Sequence, residues 1–348
     1  IQNDGIVYVP LSVNLDHEKL SHRLKDSGIH YLLSTKNYTE RFAEYSYLAC
    51  LEIDRIIDFK PTCLTVELVR RDSQDLAYLI YTSGTTSQSK GILISHGGLL
   101  SRWFSHWAVL EVTVDDRVSN FFDIHTDPCV MEALLAFGSG ASLCITGLER
   151  INYIVKLADI FKQLQVSVTI LPPTFLEEQL EVVESWKLRL AEYFSSIRCL
   201  VSATEAVDAS VLKKWRYRAE GCLTPRMIVG GYGSTETTVG CMVELYQDGD
   251  QVSLGDAKSA FFGNTIYLLV DGVLYEKYEG EGELCIAGVG LGSYWLAGKL
   301  NKSLTEKCYL SLPTDDGKRI FVYRSGDKVR LKGGRFYFIS RISDRQLK

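Results

Sequence analysis

The sequence predicts an α/β protein in which largely parallel sheets carry helices on both faces, followed by a smaller β-rich, barrel-like subdomain. Over the first two-thirds of the 348 residues, short apolar runs alternate with helix-like stretches, which is typical of a parallel sheet covered by helices. From about Asn264 the chain is rich in strands, with Gly and Asp at the turns. We therefore expect an α/β core over residues 1–255 and the β-rich subdomain over residues 256–340.

The individual elements follow in chain order. A helix begins near Asp16 and ends at Gly28, and Leu76–Tyr81 is a continuous apolar run typical of a buried strand. Apolar residues at helical spacing predict two further helices, over about 97–109 and 129–137. Short apolar runs predict the other strands, the last two joined by a Lys-Gly-Gly-Arg hairpin turn: Ile6–Leu11, Tyr31–Leu33, Ala141–Ile145, Val166–Leu171, Cys199–Ser202, Thr265–Val270, Gly282–Ala287, Ile320–Tyr323, Val329–Leu331 and Arg335–Ile339.

Composition argues against several classes of protein. The net charge is −5, from 38 Lys and Arg against 43 Asp and Glu, and the basic residues are scattered, so we expect no nucleic-acid partner. The longest apolar runs are far shorter than the roughly 18 residues of a membrane-spanning helix, so we expect no membrane association. Nine cysteines without a Cys-x-x-Cys pair indicate isolated thiols in a reducing compartment, which predicts a cytoplasmic protein.

A hydroxyl-rich loop directly after Leu76–Tyr81 is the most informative stretch. It reads Thr-Ser-Gly-Thr-Thr-Ser-Gln-Ser-Lys-Gly from Thr82 to Gly91. Small residues leave backbone N–H groups exposed, the hydroxyls add donors and Lys90 adds a positive charge, so the loop is suited to phosphate. It is not a Walker A loop, because the order Gly-x4-Gly-Lys-Ser/Thr is absent. Composition alone would indicate a surface loop, but the ordered Thr-Ser-Gly-Thr-Thr after a strand favours phosphate binding.

The loop resembles the phosphate-loop motif of the adenylate-forming superfamily, which includes peptide-synthetase adenylation domains, acyl-CoA ligases and luciferases. Further segments resemble the other motifs of that family in the same order: Gly5–Leu11 with Arg23–Gly28, Gly231–Thr237, Gly282–Gly288, Tyr323–Asp327 and Arg341–Asp344. Six ordered segments spanning most of the chain make coincidence a poor explanation. The chain is most similar to the N-terminal core of a nonribosomal-peptide-synthetase adenylation domain. The resemblance implies that residues 341–348 are the hinge to a C-terminal lobe, which we expect to be absent from this sequence.

The resemblance implies an enzyme that binds ATP and Mg²⁺. Tyr232 would stack on adenine, Asp327 would accept the ribose hydroxyls, and Glu236 would hold Mg²⁺. The implied catalytic residues are Thr235, Glu236 and Lys90. The implied ATP- or AMP-binding residues are Thr82, Ser83, Gly84, Thr85, Thr86, Lys90, Gly231, Tyr232, Asp327 and Arg341.

The resemblance also implies where a substrate would bind. In peptide synthetases an Asp in a Phe-Asp-x-Ser segment contacts the α-amino group of the amino acid, and both Asp123 and Asp127 compete for that place. The spacing to the later Ser-Gly-Ala-Ser-Leu segment favours Asp127. The implied substrate-binding residues are Asp127, Pro128, Met131, Ile170, Val201, Ala203, Gly231 and Val239. Most are apolar or small, which favours an amino acid with a small or hydrophobic side chain, although a misaligned count through core strands would return a similar set.

The implied reaction converts a carboxylic acid and ATP to an acyl-adenylate and pyrophosphate. The acyl group then passes to the phosphopantetheine thiol of a carrier (thiolation) domain. Two alternatives remain. An acyl-CoA ligase of a non-amino acid would use the same core, and Asp127 argues against it. A degenerate, non-catalytic module is suggested by Ser87 and Ser89, which replace the usual Gly and Pro, and by Ser343 in the hinge. The retained Lys90 and the carboxylates argue against that alternative, but we expect weak activity from this segment alone.

Overall fold

Four β-sheets organise the residues that the computed structural model describes, namely 6–57, 71–82, 90–146, 153–185, 193–217, 227–246, 251–296 and 298–342. The helices are α1 (His17–Ser27), α2 (Lys36–Thr39), α3 (Ile53–Ile57), α4 (His96–Leu110), α5 (Asp127–Gly138), α6 (Tyr153–Leu164), α7 (Pro173–Ser185), α8 (Ala209–Tyr217) and α9 (Lys302–Cys308). The strands are β1 (Tyr31–Ser34), β2 (Ala49–Glu52), β3 (Leu76–Thr82), β4 (Lys90–Ser95), β5 (Arg117–Asn120), β6 (Ser142–Ile145), β7 (Val168–Leu171), β8 (Cys199–Ser202), β9 (Met227–Tyr232), β10 (Met242–Leu245), β11 (Gly255–Asp256), β12 (Asn264–Val270), β13 (Val273–Tyr275), β14 (Gly280–Gly288), β15 (Ser293–Leu296), β16 (Lys299–Leu300), β17 (Tyr309–Pro313), β18 (Arg319–Lys332) and β19 (Arg335–Arg341).

The predicted parallel sheet with helices on both faces is confirmed. Its six strands lie in the order β10-β9-β8-β7-β5-β6, and all neighbours are parallel except the edge strand β10. Successive residues of β8 face opposite sides. Leu200 belongs to a core cluster with Phe161 of α6 and Trp215 of α8, whereas Val201 belongs to another with Leu110 of α4.

Local sequence signals determine where helix α1 begins and ends. The Asp16 side chain caps its N-terminus by accepting the backbone N–H of Lys19 at 2.8 Å. Gly28 ends it with φ of 65°, a left-handed conformation that favours glycine. Both ends therefore match the prediction made from the sequence.

The strand predicted at Leu76–Tyr81 forms, but in a separate antiparallel sheet of order β16-β15-β4-β3. Strand β3 pairs with β4 up to Thr82 opposite Lys90. A continuous apolar run specifies burial on both faces, not the direction of the neighbouring strand. The strand predicted at Ile6–Leu11 is wrong in extent, since only Tyr8 forms a bridge there, to Tyr78.

The β-rich, barrel-like part is also confirmed. Seven strands form an antiparallel sheet of order β11-β19-β18-β14-β12-β13, with β17 also pairing with β18. A bridge between Leu274 and Thr314 joins β13 to the residue after β17, so strands β17, β18, β14, β12 and β13 close on one another. The predicted hairpin joins β18 to β19, with Gly333 and Gly334 at φ of 59° and 75°.

The proposed division at residue 255 stays a prediction. Strand β11 is the first strand of the barrel-like sheet, but β15 and β16 return to pair with β4 and with each other. Within the described residues, no helix has both the length and the apolar character required to cross a membrane.

Candidate active site

A cavity of about 180 Å³ lies where β7, β8 and β9 end. It is lined by Ile170, Val201 and Gly231, each the second-to-last residue of its strand. Ligands of α/β proteins commonly bind beyond the carboxyl ends of parallel strands, because the loops there carry the variable side chains. The position of the cavity is therefore that of a ligand site.

Seven of the eight residues predicted to bind substrate surround this cavity: Asp127, Pro128, Ile170, Val201, Ala203, Gly231 and Val239. Met131 is the exception. It lies one helical turn beyond Asp127 on α5, and its side chain is fully buried in a core cluster with Leu135 and Val168, so it does not line the cavity. Proximity does not test binding, so the substrate-contacting role of these residues stays a prediction.

Asp127 is a buried carboxylate at the cavity wall. It is the first residue of α5 and is 8% exposed. Burial raises the pKa of Asp127 to about 6, while a hydrogen bond from the Thr235 side chain and backbone N–H groups oppose this shift. The site therefore holds a carboxylate that is ionised at neutral pH and lacks a cationic partner among these contacts, which suits a bound ammonium group.

The competing residue Asp123 lies elsewhere. Its Oδ1 lies 3.2 Å from Nδ1 of His125, and it does not line the cavity. The placement therefore favours Asp127 over Asp123 as the group that meets a substrate.

Glu132 anchors the segment that leads to Asp127. This residue of α5 is fully buried, and its carboxylate accepts the backbone N–H groups of Phe121 at 2.9 Å and Phe122 at 3.1 Å. The side chain of Asn120 donates a further hydrogen bond at 3.3 Å. Burial raises the pKa of Glu132 to about 8, although these donors favour the ionised form. The loop after β5 is thus tied to the same helix that carries Asp127.

Replacing Glu132 with alanine is expected to reduce the free energy of unfolding by about 2–4 kcal/mol, because it leaves buried backbone donors without an acceptor. Hydrogen–deuterium exchange should show faster exchange at Phe121 and Phe122. Glu132→Gln keeps one acceptor oxygen and should therefore reduce the free energy of unfolding by less. Glu177→Ala, on the exposed side of α7, is the matched control. Unchanged protection of the two amides in Glu132→Ala would contradict the anchoring role.

The segment Gly231–Thr237 makes a tight turn between the cavity and the barrel-like sheet. At Gly233 a Cβ atom would lie 2.3 Å from the Cα of Gly240, so only glycine fits. Ser234 and Thr237 form a reciprocal capping box around the 3₁₀ turn Thr235–Thr237. The turn places Thr235 on the cavity wall and buries Glu236 behind it.

The contact of Glu236 with Mg²⁺ stays a prediction, because this buried residue lines neither the cavity nor the larger groove that adjoins it. The hydroxyl of Tyr294 donates to its Oε1 at 3.0 Å, and within the described residues its Oε2 accepts no hydrogen bond. No group of three or more His, Cys, Asp and Glu side chains among those residues could hold a metal by itself. Mg²⁺ typically combines one or two protein carboxylates with substrate phosphates and waters, so a single carboxylate suits an ion that arrives with ATP.

A larger groove of about 700 Å³ adjoins the cavity. Both are lined by Thr204, Gly231, Tyr232 and Gly233, so the two spaces meet at the end of β9. The groove also contains the predicted nucleotide-binding residues Asp327 and Arg341. Four residues assigned to ATP, from three separate motifs, therefore share one groove.

A β-bulge positions Asp327. Along the β14–β18 pair, Glu283 faces Lys328 and Cys285 faces Arg324, so Ser325–Asp327 lie opposite Leu284 alone. The hydroxyl of Ser325 donates to the Leu284 carbonyl at 2.7 Å and accepts the N–H of Asp327 at 3.0 Å. Asp327 therefore lies in the bulge, and it lines the groove.

Three of the groove residues contact one another. The Tyr232 hydroxyl donates to Asp327 Oδ2 at 2.6 Å, and Arg341 Nε lies 2.9 Å from Asp327 Oδ1. Arg341 is also the cross-strand partner of Asp327 in the β18–β19 ladder. Burial and the nearby Asp327 carboxylate raise the pKa of Tyr232 well above its ordinary value, so it acts as a donor. The carboxylate is thereby held 5% exposed at the groove wall.

The predicted phosphate loop is described only at its two ends. Thr82 closes β3 and Lys90 opens β4, and the Thr82 hydroxyl donates to the Lys90 carbonyl at 3.4 Å. Ser83, Gly84, Thr85 and Thr86 lie outside the described residues. Their assignment to phosphate stays a prediction.

Several lining residues were missed by sequence reasoning. His106, Met242 and Phe261 line the cavity, and Tyr337 and Phe338 line the groove. None belongs to a motif segment. His106 lies between two tryptophans at helical spacing, which indicates only an amphipathic helix, and no local signal marks the other four.

Comparisons with known proteins agree with this geometry. Residues 1–295 match the family described as AMP-binding enzyme. Gramicidin S synthase 1 of Brevibacillus brevis is 32% identical over 347 residues, which are 99% of this chain and 29% of that protein. The chain therefore spans less than a third of that relative.

Two solved structures show the same fold. The nonribosomal peptide synthetase FmoA3 superposes with a TM-score of 0.80 at 21% identity, covering 97% of this chain and 35% of that one. PA1221, described as a protein containing adenylation and PCP domains, gives a TM-score of 0.77 at 18% identity, covering 96% and 55%. At these identities the superpositions establish the fold alone.

Proposed function

The chain belongs to the AMP-binding enzyme family, and we propose that it is the ATP- and substrate-binding core of an enzyme that adenylates an amino acid. The observation that carries this proposal is the junction of the two spaces at β9. A buried carboxylate, Asp127, lies on one side of the junction, and Asp327 with Arg341 lies on the other. An amino acid in the cavity and a nucleotide in the groove would therefore meet there.

Each residue has a chemical task in this proposal. Asp127 binds the ammonium group, which leaves the substrate carboxylate near Thr235 at the junction. Tyr232 supplies an aromatic wall for adenine, and Asp327 accepts the ribose hydroxyls. Glu236 holds Mg²⁺, which neutralises charge on the ATP phosphates.

The reaction then needs only positioning and charge stabilisation. A carboxylate oxygen of the amino acid attacks the α-phosphorus in line, and the bond from that phosphorus to pyrophosphate breaks. The products are aminoacyl-AMP and pyrophosphate. Thr235, hydrogen-bonded to Asp127, lies where it can donate to the α-phosphate or to the reacting carboxylate.

The second half-reaction is proposed by analogy. Phosphopantetheine on a carrier domain would take the acyl group as a thioester, releasing AMP. PA1221 is described as containing both adenylation and PCP domains, and this supports a carrier domain as the partner. The buried, anionic Asp127 favours an amino acid over the non-amino acids of acyl-CoA ligases, because it has no counter-charge without an ammonium group.

Amino-acid-dependent ATP–pyrophosphate exchange tests the proposal, using the full-length protein and a panel of amino acids. We expect exchange with a narrow set of amino acids and none with the corresponding acids that lack the amine. Exchange supported by plain carboxylic acids would favour an acyl-CoA ligase. No exchange, despite measurable MgATP binding, would favour a degenerate module.

A further inference from the structure

His106 is a polar side chain of the cavity wall that the proposed adenylation chemistry does not use. It lies on α4 and is 6% exposed. His106 lines the same cavity as Asp127. A buried imidazole on a substrate cavity needs an explanation, because each ring nitrogen is a strong hydrogen-bonding group.

The tautomer of His106 follows from its partner. Nδ1 lies 2.9 Å from the backbone carbonyl oxygen of Arg102, one turn earlier on α4. A carbonyl oxygen can only accept, so Nδ1 carries the proton. Nε2 makes no hydrogen bond within the part of the chain that the structure describes. Nε2 of the neutral ring is therefore an acceptor with a lone pair to offer.

Charge and burial keep the ring neutral. Burial, together with the nearby Arg102 cation, lowers the pKa of His106 to about 4, although the hydrogen bond to the Arg102 carbonyl opposes this shift. Arg102 is itself fully buried, with its guanidinium 4.7 Å above the ring of Phe261. A second positive charge at His106 would be unfavourable in this environment, so Nε2 stays unprotonated at neutral pH.

The ring is also held in place. The rings of His106 and Phe261 lie 4.6 Å apart between centroids. The next residue, Phe262, donates its backbone N–H to the Ser105 hydroxyl at 2.8 Å, which ties this loop to α4. The acceptor is thus preorganised, and a ligand need not order it.

We propose that Nε2 of His106 selects an amino acid whose side chain carries a hydrogen-bond donor. This rests on the proposed adenylation function and narrows its substrate class. An apolar side chain would leave the Nε2 acceptor buried without a partner, whereas a hydroxyl or amide N–H would satisfy it. The surrounding wall is otherwise largely apolar, as Pro128, Ile170, Val201, Ala203, Val239, Met242 and Phe261 show. The expected side chain is therefore apolar along its length with a donor positioned to reach His106.

The test compares amino acids that differ in one donor. In the full-length protein, ATP–pyrophosphate exchange and equilibrium binding would be measured for threonine against valine and for tyrosine against phenylalanine. Where one pair fits the cavity, we expect the donor-bearing member to be favoured by at least about 10-fold in kcat/KM and in affinity. Equal or better use of the apolar member would overturn the inference.

Two variants separate the acceptor from the shape of the ring. His106→Phe keeps an aromatic ring beside Phe261 but has no acceptor, so the preference should fall to about twofold or reverse. His106→Gln keeps an acceptor oxygen on a side chain of similar reach and should retain most of the preference for donor-bearing amino acids. Both should bind MgATP like the unchanged protein, which reports correct folding.

The outcomes distinguish this inference from the proposed function. If exchange occurs and the preference survives in His106→Phe, the role of His106 is wrong while adenylation stands. If exchange is absent but donor-bearing amino acids bind more tightly, adenylation is wrong while the role of His106 stands. If no amino acid binds, both are wrong.

Discussion

Replacing Asp127 with alanine is expected to reduce amino-acid-dependent ATP–pyrophosphate exchange by at least about 100-fold. The carboxylate is buried at the cavity wall, and its loss would leave a substrate ammonium group desolvated without a counter-charge. The loss should appear mainly as a raised KM for the amino acid, because the ammonium contact is made in both ground and transition states. MgATP affinity should be unchanged.

Asp123→Ala is the matched control for this prediction. Asp123 belongs to the same segment, but it lies near His125 and does not line the cavity. Exchange should therefore stay within about threefold of the unchanged protein, as is usual for a substitution outside the site. If Asp123→Ala abolished exchange and Asp127→Ala did not, the assignment of the amine-binding carboxylate would be reversed.

Asp127→Asn adds a readout that does not depend on turnover. The pKa of Asp127 is raised to about 6 from 3.8, so between these values the folded protein binds more protons than the unfolded chain. The free energy of unfolding therefore falls as the pH rises through this window, by about 3 kcal/mol, and the whole penalty is present at higher pH. The uncharged amide of the Asn variant does not carry this pH-dependent penalty. We expect the empty Asn variant to melt at a higher temperature at pH 7.5, with the advantage lost below about pH 4.

A carboxylate that destabilises the empty protein but binds substrate is characteristic of functional sites. An Asn variant that melted at a lower temperature at pH 7.5 would show that Asp127 stabilises the fold instead. Together the two substitutions separate a binding role from a structural one.

Local sequence signals were sufficient to predict most of the secondary structure. The Asp16 cap and Gly28 bound helix α1, and the Gly333–Gly334 pair formed the expected hairpin, because each depends on a few neighbouring residues. Local signals were insufficient where the structure of a strand depends on which other strand it pairs with. Leu76–Tyr81 is a strand by its apolar character, but its antiparallel pairing depends on β4, and residues 6–11 found a partner only at Tyr8.

The candidate site shows the same division. Motif order was enough to bring Gly231, Tyr232, Asp327 and Arg341 to one groove. Their mutual contacts were not predictable, because the Tyr232–Asp327 hydrogen bond joins residues 95 positions apart through the β18 bulge.

Met131 and His106 mark the limits of the substrate prediction. Spacing from the family motif placed Met131 on the same helix as Asp127. Its side chain, however, is buried in the core and does not line the cavity. His106 entered the wall from α4, an element without a motif of its own. Which side chains line a cavity is a property of how helices cross the sheet, and this information is spread over many residues.

Replacing Asp327 with alanine is expected to weaken AMP and MgATP binding by about 100-fold or more. Two hydrogen bonds from ribose hydroxyls to an ionised carboxylate would be lost, each worth about 1.5–3 kcal/mol. The carboxylate is already oriented by the Tyr232 hydroxyl and by Arg341, so the nucleotide meets a preorganised acceptor. Isothermal titration calorimetry with AMP would measure the change.

The comparison of AMP with 2′,3′-dideoxy-AMP isolates the ribose contact from any loss of fold. The unchanged protein should prefer AMP strongly, whereas Asp327→Ala should bind both nucleotides with similar, weak affinity. Glu281→Gln is the matched control, because Glu281 forms exposed ion pairs with Lys328 and Arg330 on the same strand, and such pairs contribute little. If Asp327→Ala still discriminated between the two nucleotides, the ribose would lie elsewhere and the groove at β9 would need another ligand.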